Sequence, residues 1–179
     1  MEKSENSLHW HVLGPPGAGV STFGRALAQL LDAVYIDVDD IVWFTDDALP
    51  YRRKRNPDHR RALLTEKLQA APRWILGGAL CGWGDVFLPL FDRIIFLDQQ
   101  TEIRLAQIRQ REIARYGPDR LAPGGDLNTV FEKFLQWAAA YDDSTTQRGR
   151  AAEMEWLANC GKPVLFISYQ SAVIRELSC

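Results

Sequence analysis

Apolar runs of strand length alternate along the chain with stretches whose apolar residues recur every three to four positions. That alternation is the pattern of a parallel sheet covered by helices. The strand-length runs fall at residues 8–13 (LHWHVL), 34–38, 74–78, 93–97 and 164–167, enough for a five-stranded sheet. Between the first two, Leu27, Leu30 and Leu31 recur at helical spacing, so a helix is predicted to follow the first strand. The segment TEIRLAQIRQREIARY sets Ile103, Leu105, Ile108 and Ile113 among charges and predicts a helix with one buried face and an arginine-rich other face. In LNTVFEKFLQWAAAY, Leu127, Val130, Phe131, Phe134, Ala138 and Tyr141 mark a further helical face.

Two stretches break the periodicity. Residues 45–58 (TDDALPYRRKRNPD) and 116–126 (YGPDRLAPGGD) are rich in Pro, Gly, Asp and Arg and read as surface insertions, too short for a second domain. At 179 residues the whole chain is expected to form one α/β domain. Composition changes this picture little, with 46% hydrophobic and 25% charged residues. A net charge of −2 argues against generic nucleic-acid or membrane-surface binding. The cysteines, Cys81, Cys160 and Cys179, are odd in number and lack metal-ligand spacing, and no apolar run approaches a membrane span. A cytoplasmic protein with reduced thiols is the expectation.

Chemistry enters at GPPGAGVST, residues 14–22, between the first strand and its helix. A glycine-rich turn at this junction aims successive backbone N–H groups at one point, and the helix N-terminus adds the positive end of its dipole, so phosphate binds there. Gly14, Gly17 and Gly19 have the spacing such a turn needs, and Ser21 and Thr22 offer hydroxyls where magnesium on the phosphates is held. Next comes YIDVDD, residues 35–40, at the end of the second strand. Carboxylates at the carboxyl edge of an open α/β sheet can orient hydrated metal and accept a proton from an attacking hydroxyl. Asp39 or Asp40 can instead cap the helix that follows.

The loop resembles the phosphate loop of adenylate kinases, and the wider pattern is similar to the adenylate and shikimate kinase branch of the P-loop proteins. The resemblance implies a three-layer fold with strand order 2-3-1-4-5, ATP and Mg2+ as cofactors, and a small-molecule acceptor as the second substrate. It places the nucleotide on Gly14, Gly17, Ala18, Gly19, Val20, Ser21 and Thr22. It gives magnesium to Ser21 and Asp37 and the acceptor hydroxyl to Asp39. Gly77 and Gly78 match the glycine pair that approaches the acceptor, while Trp83 lies outside that motif and could stack on a ring or fill the core, the commoner fate of a tryptophan. Residues 116–126 take the place of the lid that folds over the nucleotide, with Arg109 against the base and Arg120 or Arg115 at the transferring phosphoryl group. An acceptor-binding segment is implied at about residues 45–61, where Arg53 and Arg55 in the run RRKR suit an anionic substrate.

One position departs from the resemblance. Val20 stands where such loops carry a lysine that bridges the β and γ phosphates. Loss of a charge-assisted hydrogen bond removes about 1.5–3 kcal/mol of binding, and loss of a preorganised stabiliser of charge can cost roughly 10²–10³ in rate. The backbone cradle and hydroxyls remain, so nucleotide binding is expected to survive. Catalysis would need another cation, for which the lid arginines are the expected source. The sequence leaves open a phosphotransferase acting on a hydroxyl compound or a nucleoside monophosphate, a nucleotide-binding regulator without turnover, and, on RRKR alone, a nucleic-acid-associated ATPase.

Overall fold

The sheet is assembled from strands whose side chains alternate between two apolar layers. The computed structural model describes residues 7–44, 46, 51–143, 146 and 149–168. All five strands are parallel, in the order β2-β3-β1-β4-β5: β1 (Leu8–Leu13), β2 (Val34–Asp37), β3 (Arg73–Gly77), β4 (Arg93–Asp98) and β5 (Val164–Ser168). Leu13, Trp74, Leu76, Ile94 and Phe96 face one layer, and Val12, Ile75, Ile95 and Leu97 face the other. Strands covered on both sides read as near-continuous apolar runs, which is why the sequence pattern finds them.

Helix α1 (Val20–Leu30) packs on the second layer through Gly24 and Ala28, with Phe23, Leu27 and Leu31 alongside. Leu30, expected on that face, is 79% exposed. The first layer takes Val38 and Ile41 from the short α2 (Val38–Val42), Leu64 and Leu68 from α3 (Pro57–Gln69), and Leu157 from α7 (Arg150–Asn159). Asn56 caps α3 by accepting from the His59 N–H, and Pro57 opens it, so this helix starts inside the stretch expected to be irregular. Trp83 belongs to this layer's core.

Helices α4 (Thr101–Tyr116) and α6 (Asn128–Ala139) pack on each other through Ile108, Leu135 and Ala138. The buried stripe of α4 is Arg104, Ile108 and Glu112, while Ile113 is half-exposed, so one arginine expected in solvent lies inside. Val130 of α6 is likewise half-exposed. Residues 116–126 contain a one-turn helix, α5 (Pro118–Leu121), whose Leu121 is buried. Of the expected acceptor segment, residues 45 and 47–50 lie outside the described residues, as does Cys179. Cys81 and Cys160 are free thiols. No described helix is long and apolar enough to cross a membrane.

Candidate functional site

The carboxyl end of β1 runs directly into the glycine loop. Pro15 accepts from the Ala18 N–H at 3.0 Å, closing a turn with Pro16 and Gly17 at its centre. Gly17 has φ 85°, the left-handed value a type II turn requires at its third position, and Gly19 repeats it at the N-cap of α1. A Cβ on Gly17 would meet the Arg104 carbonyl oxygen at 2.6 Å, and one on Gly14 would meet that of Leu97 at 2.3 Å. The loop therefore rests on α4 and the end of β4. No side chain caps α1, so its first-turn N–H groups remain donors toward the loop's mouth. Val20 begins the helix with its side chain packed against the second apolar layer, Ala18 is buried beneath it, and Thr22 is exposed.

Ser21 reaches β2 from α1. Its hydroxyl donates to the Asp37 carboxylate at 3.1 Å, the Tyr35 hydroxyl donates to the same oxygen at 3.4 Å, and Arg25 approaches it at 3.5 Å. The other Asp37 oxygen accepts from the Asp39 N–H at 3.1 Å, so Asp37, rather than Asp39 or Asp40, is the cap of α2. Ser21 and Asp37 form a pair of hard oxygen donors of the kind that holds hydrated Mg2+ beside phosphates. Among the described residues no three His, Cys, Asp or Glu side chains cluster as a metal site.

Asp39 follows at the start of α2. Burial among its neighbours, with the Asp37 charge second, raises its carboxyl to about 6, while Arg111 opposes the rise. The carboxylate still keeps solvent access. Beside it stands Tyr51, whose ring packs edge-on against Trp43 and whose hydroxyl receives a hydrogen bond from Arg115 at 3.3 Å. Burial raises the Tyr51 hydroxyl's pKa, and the charges of Asp39, Arg115 and Arg111 all act on it. The end of α4 and the start of α2 thus face one another across Tyr51.

The other expected residues are placed as follows. Gly77 lies under the Tyr35 ring, where a Cβ would meet its hydroxyl at 2.2 Å, and Gly78 adjoins Val38. Arg109 is exposed on α4. Arg120 makes a two-pronged pair with Asp126 at 2.9 and 2.6 Å, both within the short 116–126 segment. Arg53 pairs with Asp46 at 2.8 Å. Arg55 donates to the carbonyls of Asp40, Ile41 and Trp43 at the end of α2. Both guanidinium groups lie 4.5 Å from the Phe44 ring, and Lys54 lies over Trp43. The basic run thus braces the chain around Trp43 and Phe44.

Arg25, Tyr35 and Tyr51 carry no motif in the sequence, and Arg104 stands there only as one of the arginines, with Arg109, Arg111 and Arg115, on the helix leading into the lid. Arg25 carries the one readable signal, four residues after Ser21 and so on the same helix face. A cavity of about 390 Å³ opens at the ends of β4 and β5, lined in part by Asp98, Gln99, Thr101, Asp142, Arg150 and Ser168. Arg150 bridges Asp98 and Asp142 there at 2.6 and 2.7 Å.

This sheet order, with a glycine loop after the central strand, defines the P-loop kinase fold, and solved structures share it. The chain is similar to shikimate kinase from Bacteroides thetaiotaomicron, with 17% identity, 96% of this chain and 92% of that one covered, and a TM-score of 0.53. It is also similar to a gluconokinase from Sinorhizobium meliloti, with 12% identity, 98% and 90% covered, and a TM-score of 0.50. No family model matches the chain. It is 39% identical over 164 residues to YqaC of Bacillus subtilis, described as uncharacterized, covering 91% of this chain and 89% of that protein. The chain belongs to the family of YqaC.

Proposed function

We propose that the protein binds ATP with Mg2+ and transfers the γ-phosphoryl group to a small hydroxyl-bearing or nucleotide acceptor, as an adenylate or shikimate kinase-like phosphotransferase. The observation that carries this reading is the convergence of Ser21 and Asp37 at 3.1 Å beside a glycine loop, with Asp39 one step further along. The backbone of Gly14 to Val20 would cradle the phosphates, and the neighbouring cavity leaves room for the base. Ser21 and Asp37 would hold Mg2+, which supplies charge neutralisation on the transferring group. Asp39 would orient the acceptor hydroxyl and take its proton; a carboxyl near 6 is mostly ionised at pH 7 yet basic enough for that task. Arg111, whose charge acts on Asp39, and Arg115, bonded to Tyr51, are the lid-side cations at this end of α4, and Arg120 would have to leave Asp126 to join them.

A second reading has one specific observation in its favour. Val20 packs a partly buried side chain against the apolar layer and offers no cation to a γ-phosphate. On this reading the protein binds nucleotide without turnover, as a regulator.

Calorimetric titration with ATP and ADP, each with and without Mg2+, tests the binding half. Magnesium-dependent binding of ATP supports the loop, and absence of binding to either nucleotide sinks both readings. An acceptor screen, hydroxy acids, sugars and nucleoside monophosphates together, then separates transfer from regulation. Where turnover is found, its rate should rise with pH as Asp39 ionises, with the limb at or below about 6 because a cation on Asp37 opposes the rise. Asp39→Asn should lower the rate by roughly 10²-fold or more and remove that limb.

A further inference from the structure

Arg104 is wholly buried, and all five of its N–H groups have acceptors. Nε donates to the Gln99 carbonyl at 3.0 Å, and one terminal nitrogen donates to the carbonyls of Pro16 and Ala138, both at 3.2 Å. The other donates to the Thr101 hydroxyl and to the Asp142 carboxylate, both at 2.8 Å. Four of these partners belong to α4, the residue just before its N-cap, the end of α6 and the turn that follows it. The fifth, the Pro16 carbonyl, belongs to the glycine loop.

That carbonyl and the Gly17 N–H are two ends of one trans peptide unit, and in a trans peptide they point in opposite directions. This unit is also the central peptide of the turn closed by Pro15 and Ala18, the one whose orientation separates a type I turn from a type II turn. A guanidinium that holds its oxygen from beneath therefore fixes which way the Gly17 N–H points, and its charge polarises that N–H. Steric contact adds to the grip, since Gly17 lies against the backbone of Arg104 itself.

We infer that Arg104 is a positioning residue for the phosphate loop: it locks and polarises the Pro16–Gly17 peptide so that the Gly17 N–H faces the anion. In a loop with valine at position 20, a larger share of anion binding then rests on the backbone donors. The inference rests on the phosphate-loop reading above. A lysine cannot replace Arg104, having three donors where five are used.

The Gly17 amide can be read on its own. The sequence contains two Pro-Gly pairs, Pro16-Gly17 and Pro123-Gly124. Full-length protein labelled with carbonyl-¹³C proline and ¹⁵N glycine therefore gives two carbon-edited amide signals, with Gly124 as internal reference. In Arg104→Lys the Gly17 signal should shift while Gly124 stays, and ADP and ATP affinity should fall by roughly ten- to a hundredfold. Asp142→Asn, which keeps the guanidinium and weakens one anchor, should move Gly17 less and in the same direction, and serves if Arg104→Lys does not fold. A Gly17 signal unmoved in every folded variant overturns the inference, as does a shifted signal with unchanged nucleotide affinity. If the wild type binds neither nucleotide, the reading of function fails, while the labelled spectra still decide whether Arg104 sets the peptide.

Discussion

Val20 exchanges a cation for a branched apolar side chain at the one loop position whose usual partner is the terminal phosphate. The exchange leaves the backbone donors and Ser21 in place, so it bears on ATP more than on ADP. We expect the wild type to bind ADP at least as tightly as ATP, and Val20→Lys to raise the preference for ATP roughly tenfold by calorimetry. A wild type that already prefers ATP by that margin would mean another cation reaches the γ group; Arg25, 62% exposed and 3.5 Å from Asp37, is the first to substitute. The loop and the carboxylates were legible because each motif is a handful of consecutive residues with fixed jobs. Arg104 was not. A charged residue amid helical charges reads as solvated, and only the turn of α4 against the loop and α6 puts it inside. Tyr51 was hidden for the same reason, since its partners come from α2 and α4.

Among the elements, α2 shows how a short helix is tied to a site. Asp37 both ends β2 and caps α2, with one oxygen given to the backbone and the other to Ser21, Tyr35 and Arg25. Asparagine can keep the cap without the charge, whereas Asp37→Ala loses both and about 1 kcal/mol of cap stabilisation. Chemical denaturation should accordingly find Asp37→Asn close to wild type and Asp37→Ala lower, while both lose the magnesium dependence of nucleotide binding. Equal destabilisation by the two, with magnesium dependence intact, would make Asp37 a structural residue alone. The inner strands β3 and β4 were readable because burial on both faces leaves them few polar positions, and the edge strands because their residues are apolar even where exposed, as Val34, Leu165 and Phe166 are. Helix α3 was not, for among its 13 residues Leu64 and Leu68 are the buried ones and most of the remainder is polar or charged. The basic run has partners of its own. Its charges suit an anion, and in the structure Arg53 pairs with Asp46 of the same segment while Arg55 donates to carbonyls at the end of α2.

At the scale of the whole molecule, β1 has neighbours on both sides and β2 lies at an edge. Central β1 also carries His11, stacked on Phe91 at 5.0 Å, with Nδ1 on the Leu76 carbonyl and Nε2 without a partner among the described residues. Burial lowers its pKa to about 4. The ring is neutral in the fold, while the unfolded chain takes up a proton below about 6.5. The stability it contributes is therefore present above 6.5 and lost as the pH falls toward 4, by up to roughly 3 kcal/mol. Asp39 works the opposite way in the same window, since its raised carboxyl favours the fold as the pH falls. Comparing wild type with His11→Leu at each pH isolates the histidine, and the variant should have the shallower acid limb in denaturant melts. A limb of equal slope in both would assign acid unfolding to other groups. The strand order has a mechanical corollary. The glycine loop grows from the central strand of the sheet and is clamped below by α4, whereas the carboxylates sit at the end of an edge strand and on the short helix after it, beside residues 51–55, whose Arg53 and Arg55 are joined to Phe44 and Val42 by backbone hydrogen bonds. Like a lathe with a fixed headstock and an interchangeable tool post, such a body can be refitted at the rim for a different workpiece while its chuck stays true.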